Sequence, residues 1–337
     1  MIRARAGRSL TVAVQNRGFR TARVRKRFIA GALCYLGFAT AQDPRFRSQT
    51  KVVQVPVIVT AKDGRTVDDL TLDDFTVLDN GVPQSATMDD FISGLAPISL
   101  AIAIQSSGTS KLVLAKIRQI GNMIQPLVMG TKGQAAVVTF DKEITWVQDF
   151  TRESRKISDA VQSLKAGRPA GARMLDTIAQ VAERMERRPG RRVLLLISES
   201  RDQGSETKFE QAMETVEREG IEVFAAHYSS YAMSWISKPE DFPQQDELNE
   251  MFFAQLARLA TTSHVQALAL ATGGSDFPFV RERGIEDAIE KLGAEVHSQY
   301  ILSFPQRGNA AGRHRIDVTV PKRPDLRIRS RRVYWAE

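Results

Sequence analysis

The stretch Ile98-Ser99-Leu100-Ala101-Ile102-Ala103-Ile104-Gln105-Ser106-Ser107-Gly108-Thr109-Ser110 constrains this chain more than any other. It opens as an apolar run too short for a helix that buries itself. Such a run, bounded by turn residues, suits a strand covered on both faces of a parallel sheet. It then breaks into a small, hydroxyl-rich loop containing one glycine. Lys111 to Ile124 follows with helical spacing, and Leu112, Ala115, Ile117, Ile120 and Ile124 share a stripe. Strand, polar loop, helix is how an open α/β fold presents a site at the carboxyl end of a central strand.

The same alternation continues downstream. Gln134 to Phe140 reads as a second buried strand and Ile144 to Phe150 as its antiparallel neighbour. Thr151 to Leu164 is amphipathic, with Thr151 as its cap. Met174 to Met185 is helical and stops at Pro189-Gly190. Arg192 to Ser198 is the most apolar strand. Glu206 to Glu219 is a helix, Ile221 to Ala226 a strand, Phe252 to Ala271 and Gly284 to Val296 the last two helices. This order predicts a mostly parallel sheet with helices on both faces. Tyr228 to Leu248 is irregular and polar, a long insertion rather than core.

Both ends differ in texture. Lys51 to Thr60 is a strand whose Pro56 suggests an edge or a bulge. Asp63-Gly64 is a turn, Leu70, Leu72, Phe75, Val77 and Leu78 give a short turn and a second strand, Asp79-Asn80-Gly81 is another turn, and Val82 to Phe91 returns as a third strand. At the other end Gln299 to Phe304, Arg313 to Val320 and Leu326 to Tyr334 are strands. Neither piece buries a face alone, so the two are expected to pair as a small antiparallel β-sandwich. The arginines of the tail (Arg313, Arg315, Arg323, Arg327, Arg329, Arg331) alternate with apolar residues, which predicts that they line a solvent face.

The 337 residues carry a formal charge of +8. Residues 1–41 hold nine Arg/Lys and no acid; without them, 38 basic residues stand against 39 acidic ones. A near-neutral body argues against a nucleic-acid partner. The basic cluster Arg23 to Arg27, the apolar core Phe28 to Ala39 and the small-x-small Ala39-Thr40-Ala41 read as a signal peptide, the alternative being an uncleaved amino-terminal anchor. That segment is the one route to a membrane. Cys34 is the sole cysteine and lies inside the apolar core, so the expected mature chain has no disulfide. The organisation expected is a leader over 1–41, a β segment over 42–95, an α/β domain over 96–297, and a β segment over 298–337 that pairs with 42–95.

These motifs, in this order, resemble the von Willebrand factor type A domains and look like the secreted acidobacterial versions flanked by β segments. The residues that carry the resemblance are Val55-Pro56-Val57-Ile58-Val59-Thr60 with Leu72-Asp73-Asp74-Phe75-Thr76-Val77 and Asp79-Asn80-Gly81; Ile102 to Thr109; Val137-Val138-Thr139-Phe140-Asp141; Leu175-Asp176-Thr177-Ile178; Val193 to Glu199; Ala271-Thr272-Gly273-Gly274; Ser298-Gln299-Tyr300-Ile301-Leu302; and Arg329 to Tyr334. The resemblance implies a doubly wound α/β fold and a metal-ion-dependent adhesion site. That site takes an Asp-x-Ser-x-Ser loop, a threonine from a second loop and a later aspartate, with Mg²⁺ completed by a partner's carboxylate.

This chain departs from that pattern. Gln105 stands where the first aspartate belongs, Ser107 and Thr109 keep the hydroxyls, Ala172 replaces the threonine, and Glu199 stands for the second aspartate. A glutamine carbonyl carries no formal charge and alanine offers no ligand, so the set is thin for a hard divalent ion. Arg173 adds a cation beside it. Asp141 and Asp176 read as a turn residue and an internal hydrogen-bond acceptor. No cofactor is therefore expected, with Mg²⁺ on Ser107, Thr109 and Glu199 the alternative. His227, His264, His297 and His314 show no ligand spacing. Ser107 lacks the surroundings of a nucleophile elbow, and Gly108 alone is no phosphate loop. The reading that results is an exported, non-enzymatic module of periplasm, envelope or exterior that binds a protein partner through its loop face. A Mg²⁺-dependent adhesion domain for an acidic ligand is the second reading, and a Ser107 hydrolase the third.

Overall fold

The computed structural model describes residues 52–89, 97–107, 111–167, 171–199, 202–228, 263–279, 284–306 and 311–336. The leader, Thr109 and the insertion after Tyr228 lie outside them. From the amino end come β1 (Val52–Thr60), β2 (Thr76–Asp79), β3 (Val82–Pro83) and β4 (Thr87–Met88). The middle holds β5 (Ile98–Gln105), α1 (Lys111–Ile117), β6 (Gln134–Phe140), β7 (Ile144–Thr151), α2 (Ser154–Gln162), α3 (Met174–Met185), β8 (Arg191–Ser198), α4 (Phe209–Arg218), β9 (Ile221–His227), α5 (His264–Thr272) and α6 (Gly284–His297). The tail supplies β10 (Tyr300–Pro305), β11 (Gly312–Thr319), β12 (Arg327–Ser330) and β13 (Val333–Ala336).

A strand buried on both faces must feed two cores by alternation. β5 does so, and every one of its residues is buried. Leu100, Ile102 and Ile104 pack with Leu114 and Ile117 of α1, Ile157 and Val161 of α2, and Ile289 and Leu292 of α6. Ala101 and Ala103 face the opposite cluster, with Ile178 and Val181 of α3, Val216 of α4 and Leu268 of α5. The sheet runs β7-β6-β5-β8-β9. It is parallel except for the edge strand β7, which is antiparallel to β6 with two register shifts. The fold is thus mixed α/β, with further antiparallel sheets beside it. Among the described residues no helix is long and apolar enough to cross a membrane.

Several local expectations need correction. The helix expected over Lys111 to Ile124 is α-helical only to Ile117; Arg118–Asn122 is 3-10 and Gln125–Met129 is π-helical. Gly121 closes onto α2, where a Cβ would lie 3.1 Å from Ser158 Cα, and Pro126 has no N–H to give. Thr151 ends β7 instead of capping α2; Glu153 holds the cap position, and its N–H donates to the Thr151 hydroxyl at 3.1 Å. α5 begins after Ser263, whose extended backbone (φ −153°) interrupts the longer helix expected, and whose hydroxyl accepts from Gln266 N–H.

The chain ends interleave. One antiparallel sheet runs β12-β1-β10-β4 and the other β13-β11-β2-β3. Val55, Val57, Tyr300, Leu302 and Phe304 of the first pack against Val77, Ile316, Val318 and Tyr334 of the second. Pro56 is not on an edge strand as expected, since β1 lies between β12 and β10. It is accommodated because β12 pairs only with Val57 to Thr60, so at Pro56 the strand is flanked by β10 alone. The single strand expected over Leu326 to Tyr334 breaks at Arg331-Arg332 and changes sheet. The tail arginines line a solvent face only in part: Arg313 stays 45% exposed, yet most of them are drawn to acids of the chain. Arg313 pairs with Glu217, Arg329 with Glu295, and Arg315 and Arg332 share Asp317.

Tyr300 ties the sandwich to its longest loop. Its hydroxyl donates to the Val67 carbonyl and accepts from Leu70 N–H, each at 3.0 Å. Tyr300→Phe keeps the ring and orphans that buried N–H. A loss of about 1–3 kcal/mol in urea unfolding is expected.

Candidate functional site

Adjacent parallel strands whose following helices leave to opposite faces part at their carboxyl ends, and open α/β sheets bind ligands in that crevice. Here the pair is β5 and β8. α1 packs in one core and α4 in the other. The candidate residues Gln105 and Glu199 stand on the two lips.

Gln105 is 2% exposed and its amide crosses the crevice. Oε1 accepts from Glu199 N–H at 2.9 Å, and Nε2 donates to Ser107 Oγ at 2.7 Å. A backbone N–H can only donate, so Glu199 fixes which end of the amide faces it. The adjoining loops are tied down by backbone. Ser106 N–H donates to the Phe140 carbonyl at 2.9 Å, and Gly167 N–H to the Ser106 carbonyl. A Cβ at Gly167 would fall 2.0 Å from Asp141 Oδ2, so any larger residue there would have to push the Asp141 side chain aside. Asp141 Oδ1 accepts from Glu143 N–H at 2.8 Å, closing the turn after β6.

Ala172 is 1% exposed and exchanges backbone hydrogen bonds with Gln203, at 2.8 and 2.9 Å. Arg173 does not point its charge into the crevice. Nε sits 2.7 Å from Asp176 and Nη2 is 3.8 Å from Glu206. The structure thus brings Gln105, Ser107 and Glu199 together, holds Ala172 in a neighbouring loop bridge, and leaves Thr109 outside the described residues.

Toward a divalent ion the set is poor: Gln105 brings no charge, its Oε1 and Ser107 Oγ each already accept a hydrogen bond, and the Glu199 carboxylate is the one charged oxygen group among Gln105, Ser107, Ala172 and Glu199. Ala172 supplies only backbone atoms already paired. Among the described residues no three of His, Cys, Asp or Glu converge as a metal site. The histidines stand apart: His227 pairs with Asp276, His264 accepts from Asp202 N–H, and His314 pairs with Asp79.

Asp176 is the internal acceptor expected from sequence, but the sequence reading missed Asp202 and the second network the two form behind the loops. Asp202 caps α3 from across the crevice loop: Oδ1 accepts from Leu175 N–H at 3.0 Å and from the Ser205 hydroxyl at 2.6 Å. Asp176 reciprocates toward α4, taking the Thr207 N–H and hydroxyl at 2.8 and 2.6 Å and Glu206 N–H at 3.1 Å. The signal was present as Asp202-x-x-Ser205-x-Thr207 just before an amphipathic run, a pattern of capping residues.

No family model matches the chain, and no curated protein matches it. Solved structures do. A conserved hypothetical protein BatB from Bacteroides thetaiotaomicron is similar at 14% identity over 59% of this chain and 98% of its own, with a TM-score of 0.43. An aerotolerance-related membrane protein from Bacteroides fragilis shows 14% identity, 59% and 99% coverage, and a TM-score of 0.41. Proximal thread matrix protein 1 from the mussel byssus, solved with a zinc-occupied MIDAS motif, shows 12% identity over 67% of this chain and half of its own length, with a TM-score of 0.46.

Burial pushes the Asp176 carboxyl up, but the Thr207, Arg173 and Glu206 hydrogen bonds outweigh it and hold it at about 2. A carboxyl depressed on folding adds stability above its ordinary value and loses it as pH falls toward the folded value. Asp176 is expected to contribute about 2 kcal/mol above pH 4 or so, lost between there and about pH 2. Unfolding midpoints against pH check this; Asp176→Asn should flatten that acid limb and lower stability at neutral pH.

Proposed function

We infer that this chain is an exported, non-enzymatic interaction module of the von Willebrand type A kind, which binds a protein partner through the loops at the carboxyl edge of its central sheet. The observation that carries the reading is the Gln105 amide spanning the crevice. It sets the loop positions by neutral hydrogen bonds, in the place where the resembling family uses an ion. The loop face is then built without metal and stays in one arrangement. Its rim presents exposed charges of both signs, among them Lys142 and Glu206. The sequence motifs and the switch-point geometry support the type A reading; the basic, apolar leader supports export.

Thermal melting in chelator and in excess Mg²⁺ or Mn²⁺ tests the metal-free part. An ion bound at a hundred times its dissociation constant adds about 2.7 kcal/mol. Identical midpoints are expected, and Gln105→Asp should lower the midpoint without creating an ion response. A divalent-dependent rise abolished by Ser107→Ala contradicts the reading and favours the Mg²⁺-dependent alternative. For the partner, the full chain as bait should retain an envelope protein in chelator, and Lys142→Glu with Glu206→Lys should release it. Capture that requires Mg²⁺ would overturn the proposal.

A further inference from the structure

The amino edge of the central sheet, opposite the loop face, meets the sandwich through buried charge. Glu222, the second residue of β9, is 4% exposed, and Arg191, the first of β8, 2%. Arg191 Nη2 lies 3.3 Å from Glu222 and also donates to the Gln299 side-chain carbonyl; its Nη1 donates to the Val296 carbonyl at 2.7 Å. The Gln299 amide nitrogen donates back to Glu222. Gln299 immediately precedes β10, so this cluster joins the two strands of the α/β sheet to the first tail strand of the sandwich. Around it stand Glu295 and His297 of α6, Arg329 of β12, Arg331 after β12, and Glu217 of α4. Glu295 takes Arg329 and the Ser275 hydroxyl, and Glu217 takes Arg313 in a two-point contact at 2.8 and 3.1 Å. Across the same seam Arg218 of α4 stacks on Trp335 of β13 at 5.0 Å.

We propose that the Arg191–Glu222–Gln299 cluster is a proton-sensitive latch between the α/β portion and the sandwich, tight with Glu222 protonated and loosened when Glu222 ionises. The geometry favours this. Arg191 keeps two neutral acceptors, Val296 and Gln299, so its hydrogen bonds survive protonation of Glu222. Its one contact to the carboxylate is a single 3.3 Å approach, not a fork. That approach and the Gln299 amide are few partners for a carboxylate taken fully out of water, whose desolvation they must offset. Burial accordingly pushes the Glu222 carboxyl up to about 7, against the pull of Arg191, Gln299 and Arg329 and with the push of Glu295. A folded value above the ordinary 4.5 means that this contribution is fully present below about pH 4.5 and lost as pH rises through about 7.

Native-state hydrogen exchange on the full chain, corrected for the intrinsic pH dependence, tests the latch. Amides of β1, β10 and β12 are expected to open about tenfold more often at pH 8 than at pH 6, while those of β5 change less. Glu222→Gln should remove the pH dependence and hold the seam strands near their low-pH protection. If the seam strands and β5 respond alike, the cluster serves global stability only and the latch is refuted; a pH response unchanged by Glu222→Gln refutes it too. Should that variant fail to fold, carbon-13 titration of the wild-type glutamate carboxyls decides. A Glu222 midpoint near 7 supports the latch, and one below about 5 overturns it.

Discussion

Where β5 and β8 send their helices to opposite faces, the sheet has to split at its carboxyl edge, and something must hold the two lips in register. In this chain that task falls to one side-chain amide. Gln105 offers an acceptor to the Glu199 backbone and a donor to Ser107, and each bond contributes about 1 kcal/mol net, with a larger cost if a buried partner is orphaned. A carboxylate at that position could accept from Glu199 but could not donate to Ser107, and it would bring a buried charge needing a cation. The amide ties the two lips by neutral hydrogen bonds, without adding a buried charge. The loops around it follow: Ser106 ties to Phe140 and Gly167, Asp141 closes its own turn, and Arg173 is drawn off by Asp176.

The two edges of the central sheet are built differently. The carboxyl edge joins its two lips through one neutral amide, with the carboxylates of Asp141, Asp176 and Asp202 pinning the loops behind it. The amino edge is ionic, with acids of α4, β9 and α6 set against arginines of β8 and the tail. Docking the sandwich on the amino edge leaves the carboxyl edge to the loops. It also explains the basic tail without an external anionic partner, because most of its charge is answered inside the chain. Since β1 lies between β12 and β10, both chain ends are needed before the first sandwich sheet can close, and the latch region is among the last contacts that sequence order supplies.

Much of this was legible in the sequence. Ile98 to Ile104 announces a doubly buried strand because no polar residue but Ser99 interrupts it, and Met174–Met185 matches its helical spacing residue for residue. Periodicity failed where a neighbour dictated geometry: Gly121 bends the segment after α1 onto Ser158, and the Arg331-Arg332 step carries the last strand into another sheet. Alternation was read correctly in the tail, but its meaning was not. An arginine facing away from one core can face an acid on a neighbouring helix, and Glu217, nearly a hundred residues earlier, is invisible to local pattern. The same holds for the site. The residue types at 105, 107, 172 and 199 and the acceptor role of Asp176 were evident in the sequence, whereas the Gln105 bridge, the partners of Asp176 and the Asp202 cap exist only once the loops are brought together.

The claim on which the account turns is that the Gln105 amide is held across the crevice by protein groups alone. Nitrogen-15-edited spectra of the Gln105 side-chain NH₂ in the intact chain, with and without millimolar Mg²⁺, examine it directly. The account predicts two separate, slowly exchanging protons whose shifts do not move with the ion. Protons that exchange freely, or that shift as Mg²⁺ is added while Ser107→Ala abolishes the change, would contradict it.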